Sequence, residues 1–143
     1  MDYKDVVAFA KENPATFIAT IDGDQPRVRG FLTVFFDGDD RFYFTTGSTK
    51  RVYGQISKNP NVELAYFTPD FQKTMRVAGR IEVIEDLPKK QKLLDERDYL
   101  KPIRDGKGAT DPVFKLLRLS HGKARFWTLA DNMNEDKLEV IEF

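Results

Sequence analysis

Residues 45–51 read Thr-Thr-Gly-Ser-Thr-Lys-Arg, a run of four hydroxyls, one glycine and two cations. Such a run holds anions if it leads into a helix. The free N–H groups of a helix start carry about half a positive charge and stabilise an anion by roughly 0.3–1 kcal/mol before any side chain helps. Thr45, Thr46, Ser48 and Thr49 add hydroxyls, and Lys50 and Arg51 add charge. Gly47 lets the backbone turn or approach a ligand, and Ser48 or Thr49 is placed to cap the helix. The same residues also suit plain capping and a solvated cationic surface, so the run alone leaves both readings open.

A second cationic group precedes it. Residues 26–36 alternate as a strand, with Arg27, Arg29, Phe31 and Thr33 on one face and Val28, Gly30, Leu32 and Val34 on the other. The two arginines then stand about 6.6 Å apart. Asp37-Gly38-Asp39-Asp40 turns the chain into the Phe42–Phe44 strand, which brings Arg27 and Arg29 towards Lys50. A surface pair of arginines is the competing explanation.

Other chemistries find little material. The 143 residues contain no cysteine, which removes thiolate catalysis, disulfides and cysteine zinc sites. His121 is the only histidine and falls in a turn. Lys50 is followed by Arg51, not Ser or Thr, so no Walker A loop is present, and Gly106-Lys107-Gly108 lacks the third glycine of a dinucleotide fingerprint. Asp95, Glu96 and Asp98 lie on a polar helix, where a solvated face explains them.

The elements that position these groups follow from periodicity. Asp2 caps a helix with Val6, Phe9 and Ala10 on one side, and Asn13-Pro14 ends it. Residues 15–21 form a strand, turning at Asp22-Gly23-Asp24 into the arginine strand. Val52, Tyr53 and Ile56 mark a short helix after the hydroxyl run. Residues 61–68 and 73–84 are strands, the second with Met75, Val77, Gly79, Ile81 and Val83 facing inward, and Gly79 marks a bulge or barrel corner. Asp86-Leu87-Pro88 opens a polar helix to about Arg97, and 99–111 is an irregular excursion. Residues 113–120 and 123–129 form a last hairpin across His121-Gly122, with Phe126 and Trp127 on opposite faces. A further short strand lies within 138–143. Trp127, beside Arg125, suits core packing or stacking on a planar ligand. Six or seven strands with three short helices predict an antiparallel barrel.

One domain of 1–143 accommodates all of this. With 23 basic and 23 acidic residues, no global field recruits nucleic acid or an anionic membrane, so an anion site must be local. No span of about 20 apolar residues and no signal pattern appear, which predicts a cytoplasmic protein.

Taken together, PRVRGF at 26–31, FYFTTGSTKRVYGQISKNPNVELAYF at 42–67 and RVAGRIEVIED at 76–86 resemble the pyridoxamine 5′-phosphate oxidase-like FMN-binding split-barrel family, in its short branch. The resemblance covers nearly the whole chain. It implies a mainly β fold with short helices, specifically a six-stranded antiparallel split barrel, and a homodimer with FMN in a groove between subunits. Residue by residue it implies that Arg27, Val28, Arg29, Gly30 and Phe31 border the flavin ring. Thr45, Thr46, Ser48, Thr49 and Lys50 then hold ribityl and phosphate, Lys50 foremost. Arg29 shares the phosphate or meets the pyrimidine edge of the ring, and Trp127 reaches the cofactor across the dimer. The implied activity is that of an FMN-dependent oxidoreductase on an unidentified small molecule, with NAD(P)H a candidate donor and no catalytic side chain required. A non-catalytic FMN-binding or storage protein, and the same fold carrying heme or deazaflavin, are the alternatives. The chain lacks the C-terminal arginine-histidine substrate signature of the oxidase itself, so oxidation of vitamin B6 is not expected.

Overall fold

The computed structural model describes residues 1–143. Helix α1 (Tyr3–Glu12) starts where Asp2 accepts from the Lys4 N–H at 2.8 Å and Asp5 accepts from the Asp2 N–H at 2.8 Å, a reciprocal capping box. Its Val6, Phe9 and Ala10 are buried, as their spacing predicts.

Strands β1 (Ala15–Asp22) and β2 (Gln25–Leu32) form the expected hairpin, with Gly23 at φ +64 in the turn. Thr16, Ile18 and Thr20 are the buried face of β1, whereas Phe17 and Ile21 stand on the exposed face. Strand β3 (Val34–Phe36) pairs with β4 (Asp39–Gly47), and helix α2 (Arg51–Lys58) follows. Then come β5 (Asn61–Phe67), β6 (Lys73–Arg80), β7 (Glu82–Ile84) and helix α3 (Leu87–Glu96), whose cap Asp86 accepts from the Lys89 N–H. The chain ends with α4 (Lys101–Arg104), β8 (Phe114–Leu119), β9 (Gly122–Thr128) and β10 (Ile141–Glu142). No helix is long and apolar enough to cross a membrane.

The expected six-stranded barrel is not what forms. Ten strands make two antiparallel sheets that are not closed into a barrel: a six-stranded sheet in the order β10-β9-β6-β5-β1-β2 and a four-stranded sheet in the order β3-β4-β8-β7. The reason lies at two single-residue breaks. Thr33 separates β2 from β3 and donates its N–H to Pro14 O at 2.8 Å; Ile81 separates β6 from β7 and donates to Pro60 O at 2.9 Å. Each long strand of the sequence reading therefore leaves one sheet and enters the other. For the same reason Val83, expected inward, is exposed.

The final hairpin is also corrected. Strand β8 pairs with β4 and β7, whereas β9 pairs with β6 and β10, so Ser120-His121 carries the chain between sheets. Phe126 is buried and Trp127 lies on the opposite face, as expected.

Ile18, Phe42, Phe44, Leu64, Met75 and Leu117 belong to the main core between the sheets, joined by Phe9 of α1 and Ile56 of α2. Each such side chain contributes about 1.5–3 kcal/mol by leaving water. A second core, with Tyr43, Phe114 and Leu116 against Leu93, Leu94 and Leu100, seats α3 and the segment after it on the smaller sheet. That segment, expected to be irregular, holds α4 between the short 3-10 turns Asp98–Leu100 and Gly108–Thr110.

Gly79 does sit at a corner. A Cβ there meets His121 O and Leu119 Cδ1 at 2.8 Å each, and the first is backbone that cannot swing aside. Gly79→Ala is expected to cost about 1–3 kcal/mol by overpacking, read as a lower midpoint in urea. Gly54→Ala, in α2 with nothing within 4 Å, is expected to stabilise by up to about 1 kcal/mol through helix propensity.

Candidate functional site

The hydroxyl run occupies the join of β4 and α2. Lys50 N–H donates to Gly47 O at 3.0 Å and Ser48 N–H to Val113 O at 2.9 Å, so Ser48 and Thr49 form the corner of a tight turn. That turn ends one residue too late for either hydroxyl to cap the helix. Lys50 occupies the N-cap position instead, and no side chain caps α2, which corrects the expectation for Ser48 and Thr49. The positive end of the helix is thus left without a side-chain acceptor.

Arg29 approaches from the inner face of β2. Its Nη1 donates to Thr20 Oγ1 at 2.6 Å and to Ile18 O at 3.3 Å, and its Nη2 to Gln55 Oε1 of α2 at 2.8 Å. Thr20 Oγ1 also donates to Gln55 Oε1 at 2.7 Å, which ties α2 to the sheet. Burial, and Arg27 beside it, lower the Arg29 pKa from its ordinary value. A guanidinium starts so high that it stays charged at neutral pH. Neither Arg29 nor Lys50 has a carboxylate within ion-pair distance. Their charge is oriented and not neutralised.

Both cations line a cavity of about 690 Å³ that wraps the end of β2. Thr45, Thr46, Gly47 and Thr49 form one side, Gly30 and Phe31 another. Thr46 is 6% exposed, and its Oγ1 is buried without a hydrogen-bond partner. A buried hydroxyl left unpaired costs about 1–3 kcal/mol, so this oxygen is a place where a ligand atom is missing a counterpart.

Four residues picked out in the sequence stand outside the cavity lining. Arg27 is exposed and pairs with Asp22 at 3.2 Å. Val28 is on the outer face of β2 and 67% exposed. Ser48 is held in its turn, and Trp127 stands on β9, paired with Thr74 of β6. Conversely, Phe17 and Phe67, and Tyr99, Leu100 and Ile103 from the segment after α3, line the cavity without having been singled out. The only sequence signal for Phe17 was an aromatic on a strand face beside threonines.

The lining contains no Asp, Glu, His or Cys, and no group of three such residues anywhere could hold a metal. These walls can bind an anion, donate hydrogen bonds and exclude water along apolar side chains. They offer no nucleophile paired with a base.

The family model described as pyridoxamine 5′-phosphate oxidase matches residues 3–128. The chain belongs to this family. A NimC/NimA family protein from Clostridium acetobutylicum is 25% identical, with a TM-score of 0.77 over 99% of this chain and 93% of that one. General Stress Protein 26 from Bacillus anthracis str. Sterne is 16% identical, with a TM-score of 0.74 over 99% and 98%. A protein from Nostoc punctiforme PCC 73102, described as pyridoxamine 5′-phosphate oxidase-related and FMN binding, is 16% identical, with a TM-score of 0.72 over 98% and 95%. The last two show the fold alone. No curated protein matches the sequence. As a family member the chain has a fold used to bind FMN, and the residues around Thr46 fit such a group: an unpaired hydroxyl and two cations without carboxylates.

Thr46→Val removes the orphaned oxygen at nearly constant shape. Without ligand it is expected to leave stability unchanged or raise it by about 1 kcal/mol, measured by urea unfolding; a clear loss would show that the hydroxyl already has a partner.

Proposed function

We propose that the protein is a homodimeric FMN-dependent oxidoreductase acting on a small molecule, with FMN held in the cavity at the β4–α2 join. The observation that carries this reading is the buried Thr46 hydroxyl, without a partner, in a wall shared with two cations that no carboxylate neutralises. A phosphate takes both the charge and the donors. Lys50 and the start of α2 hold it, and Thr45, Thr46 and Thr49 serve the ribityl hydroxyls. Arg29, fixed by Thr20 and Gln55, keeps its place whether or not an anion is bound, which limits the ordering cost of binding. When bound, the isoalloxazine supplies the redox chemistry, and the protein binds, orients and shields it. This division of labour suits a cavity without an acid–base pair.

The dimer is inferred from the outer face of the six-stranded sheet. Phe17, Ile21, Val28 and Leu32 are exposed there on adjoining strands, an apolar surface of the kind that a second copy covers. Gly30 and Leu32 belong both to this face and to the cavity, so the partner comes to lie against the site.

Purified protein titrated with FMN is expected to bind it and show flavin absorbance. A persistent lack of binding sinks the proposal, and a heme or deazaflavin spectrum on isolation replaces it. Lys50→Ala is expected to weaken FMN about tenfold or more, from the loss of a charge-assisted contact, while riboflavin, which has no phosphate, is little affected. Equal losses for both would refute the phosphate role of Lys50. Turnover of NADH or NADPH with a panel of acceptors separates an enzyme from a storage protein. For assembly, Val28→Glu is expected to convert a dimer into monomers in sedimentation and to weaken FMN; an unchanged dimer places the interface elsewhere.

A further inference from the structure

Three phenyl rings run outward from the cavity. Phe17 and Phe67 line it, with centroids 5.6 Å apart and planes at 18°. Phe71 stacks in turn on Phe67, at 4.8 Å and 9°. Phe71 does not line the cavity; it extends the stack beyond the mouth. One face of its ring is covered by Phe67, yet the residue is 64% exposed.

The backbone at Phe71 is the second observation. It is the only non-glycine residue with positive φ, at +57. Such left-handed backbone is disfavoured for a bulky side chain and is ordinarily taken by glycine or asparagine. The turn that imposes it is tightly held. Phe71 N–H donates to Thr68 O at 2.8 Å and Thr68 N–H to Lys73 O at 2.9 Å. Asp70 Oδ1 accepts from Thr68 Oγ1 at 2.6 Å and from the Gln72 N–H at 3.1 Å. A strained backbone and a large ring in water both work against stability, and strain of this kind collects at ligand clamps. Glycine would remove both penalties.

We propose that Phe17, Phe67 and Phe71 form a stacking platform for an uncharged planar aromatic ring, the substrate of this cavity, with Phe71 as the outer, specificity-determining member. The assignment of that ring as substrate rests on the flavin reading above; the platform itself does not. Near-parallel rings 4.5–7 Å apart are the geometry in which aromatic groups attract one another, and the open end of the stack has room for one more. Nothing at the platform rewards a charge. Asp70 is taken up by its turn, and Lys73 Nζ lies over the Phe126 ring at 4.6 Å. Continuity with the cavity wall is what distinguishes the platform from a surface for a protein partner. An aromatic ring seated on Phe71 adjoins Phe67, and through it the cavity.

The test is equilibrium dialysis of the whole protein, with and without added FMN, against 1,4-naphthoquinone and against cyclohexane-1,4-dione, which keeps the two carbonyls without the aromatic ring. The chain has no cysteine for a quinone to modify. The quinone is expected to bind and the dione not. Phe71→Gly is expected to weaken the quinone about two- to tenfold, while Phe71→Tyr keeps it, and FMN absorbance is unchanged in both. The melting temperature of Phe71→Gly is expected not to fall. Equal quinone binding by Phe71→Gly and the parent overturns the platform. So does a fall in melting temperature of more than about 4 °C, which makes the ring structural, or a loss of dimer with quinone binding intact, which makes it a contact between copies. If the parent takes up no FMN but still discriminates quinone from dione in a Phe71-dependent way, the flavin reading fails and the platform stands.

Discussion

Two backbone amides that leave the sheet ladder shape the molecule. A buried N–H must find an acceptor, and at Thr33 and Ile81 that acceptor is a carbonyl outside the strands, Pro14 O and Pro60 O. Each proline follows an asparagine that caps a helix, Asn13 for α1 and Asn59 for α2. Proline ends the helix and leaves a carbonyl that the neighbouring strand can use. Because the amide demand is met there, β2 can stop at Leu32 and its chain can cross to the smaller sheet as β3. The crossing opens a gap beside the end of β4. That gap is the cavity, so the site depends on the same two prolines that end the helices.

Within the gap, electrostatics are set by which cations keep partners. Elsewhere in the chain basic side chains meet acids: Arg118 with Glu82 at 2.7 Å, Lys90 with Glu85 at 2.8 Å, and Arg76 with Glu63 and Glu135. Arg29 instead meets only neutral oxygens of Ile18, Thr20 and Gln55. Two unit charges 4 Å apart attract by about 4 kcal/mol at the effective dielectric of a protein surface. Exposure of Lys50 lowers its share of any such attraction through solvent screening. A chain with equal numbers of acids and bases thereby acquires a local positive field, where a global excess of either sign is absent.

Much of this was legible in the sequence where the signal was local. Periodicity, caps and turn residues placed α1, the β1–β2 hairpin, the β4–α2 join and α3, because each depends on neighbours a few residues away. The order of motifs gave the family. What could not be read was where long strands change sheets, since Thr33 and Ile81 look like ordinary strand residues and their partners lie 19 and 21 positions away in the chain. The β8–β9 turn failed for a related reason: His121-Gly122 suits a hairpin, but Gly79 and Gly122 are packed against backbone across the corner, and the chain passes between layers there. Tyr99, Leu100 and Ile103 were invisible as site residues, because the second core that seats their segment is built from Leu93, Leu94 and Phe114 of other elements.

The two arginines of β2 show how a pattern can place a side chain on the right face and still leave its role undecided. Arg27 and Arg29 share the inner face, opposite Thr20 and Ile18. Arg27 is two residues nearer the hairpin turn, where Asp22 reaches it at 3.2 Å. That pair is exposed and worth at most about 1 kcal/mol, but it is enough to hold one side chain at the turn when nothing stronger competes. Arg29 stands one pair further along, beyond the reach of the turn's acid and beside α2, whose Gln55 can orient a cation without cancelling it. The difference between a surface ion pair and a ligand-ready guanidinium is therefore set by the position of one aspartate in a turn. Alternation determines the face of a strand; the nearest neutral or acidic oxygen determines what an arginine on that face can do.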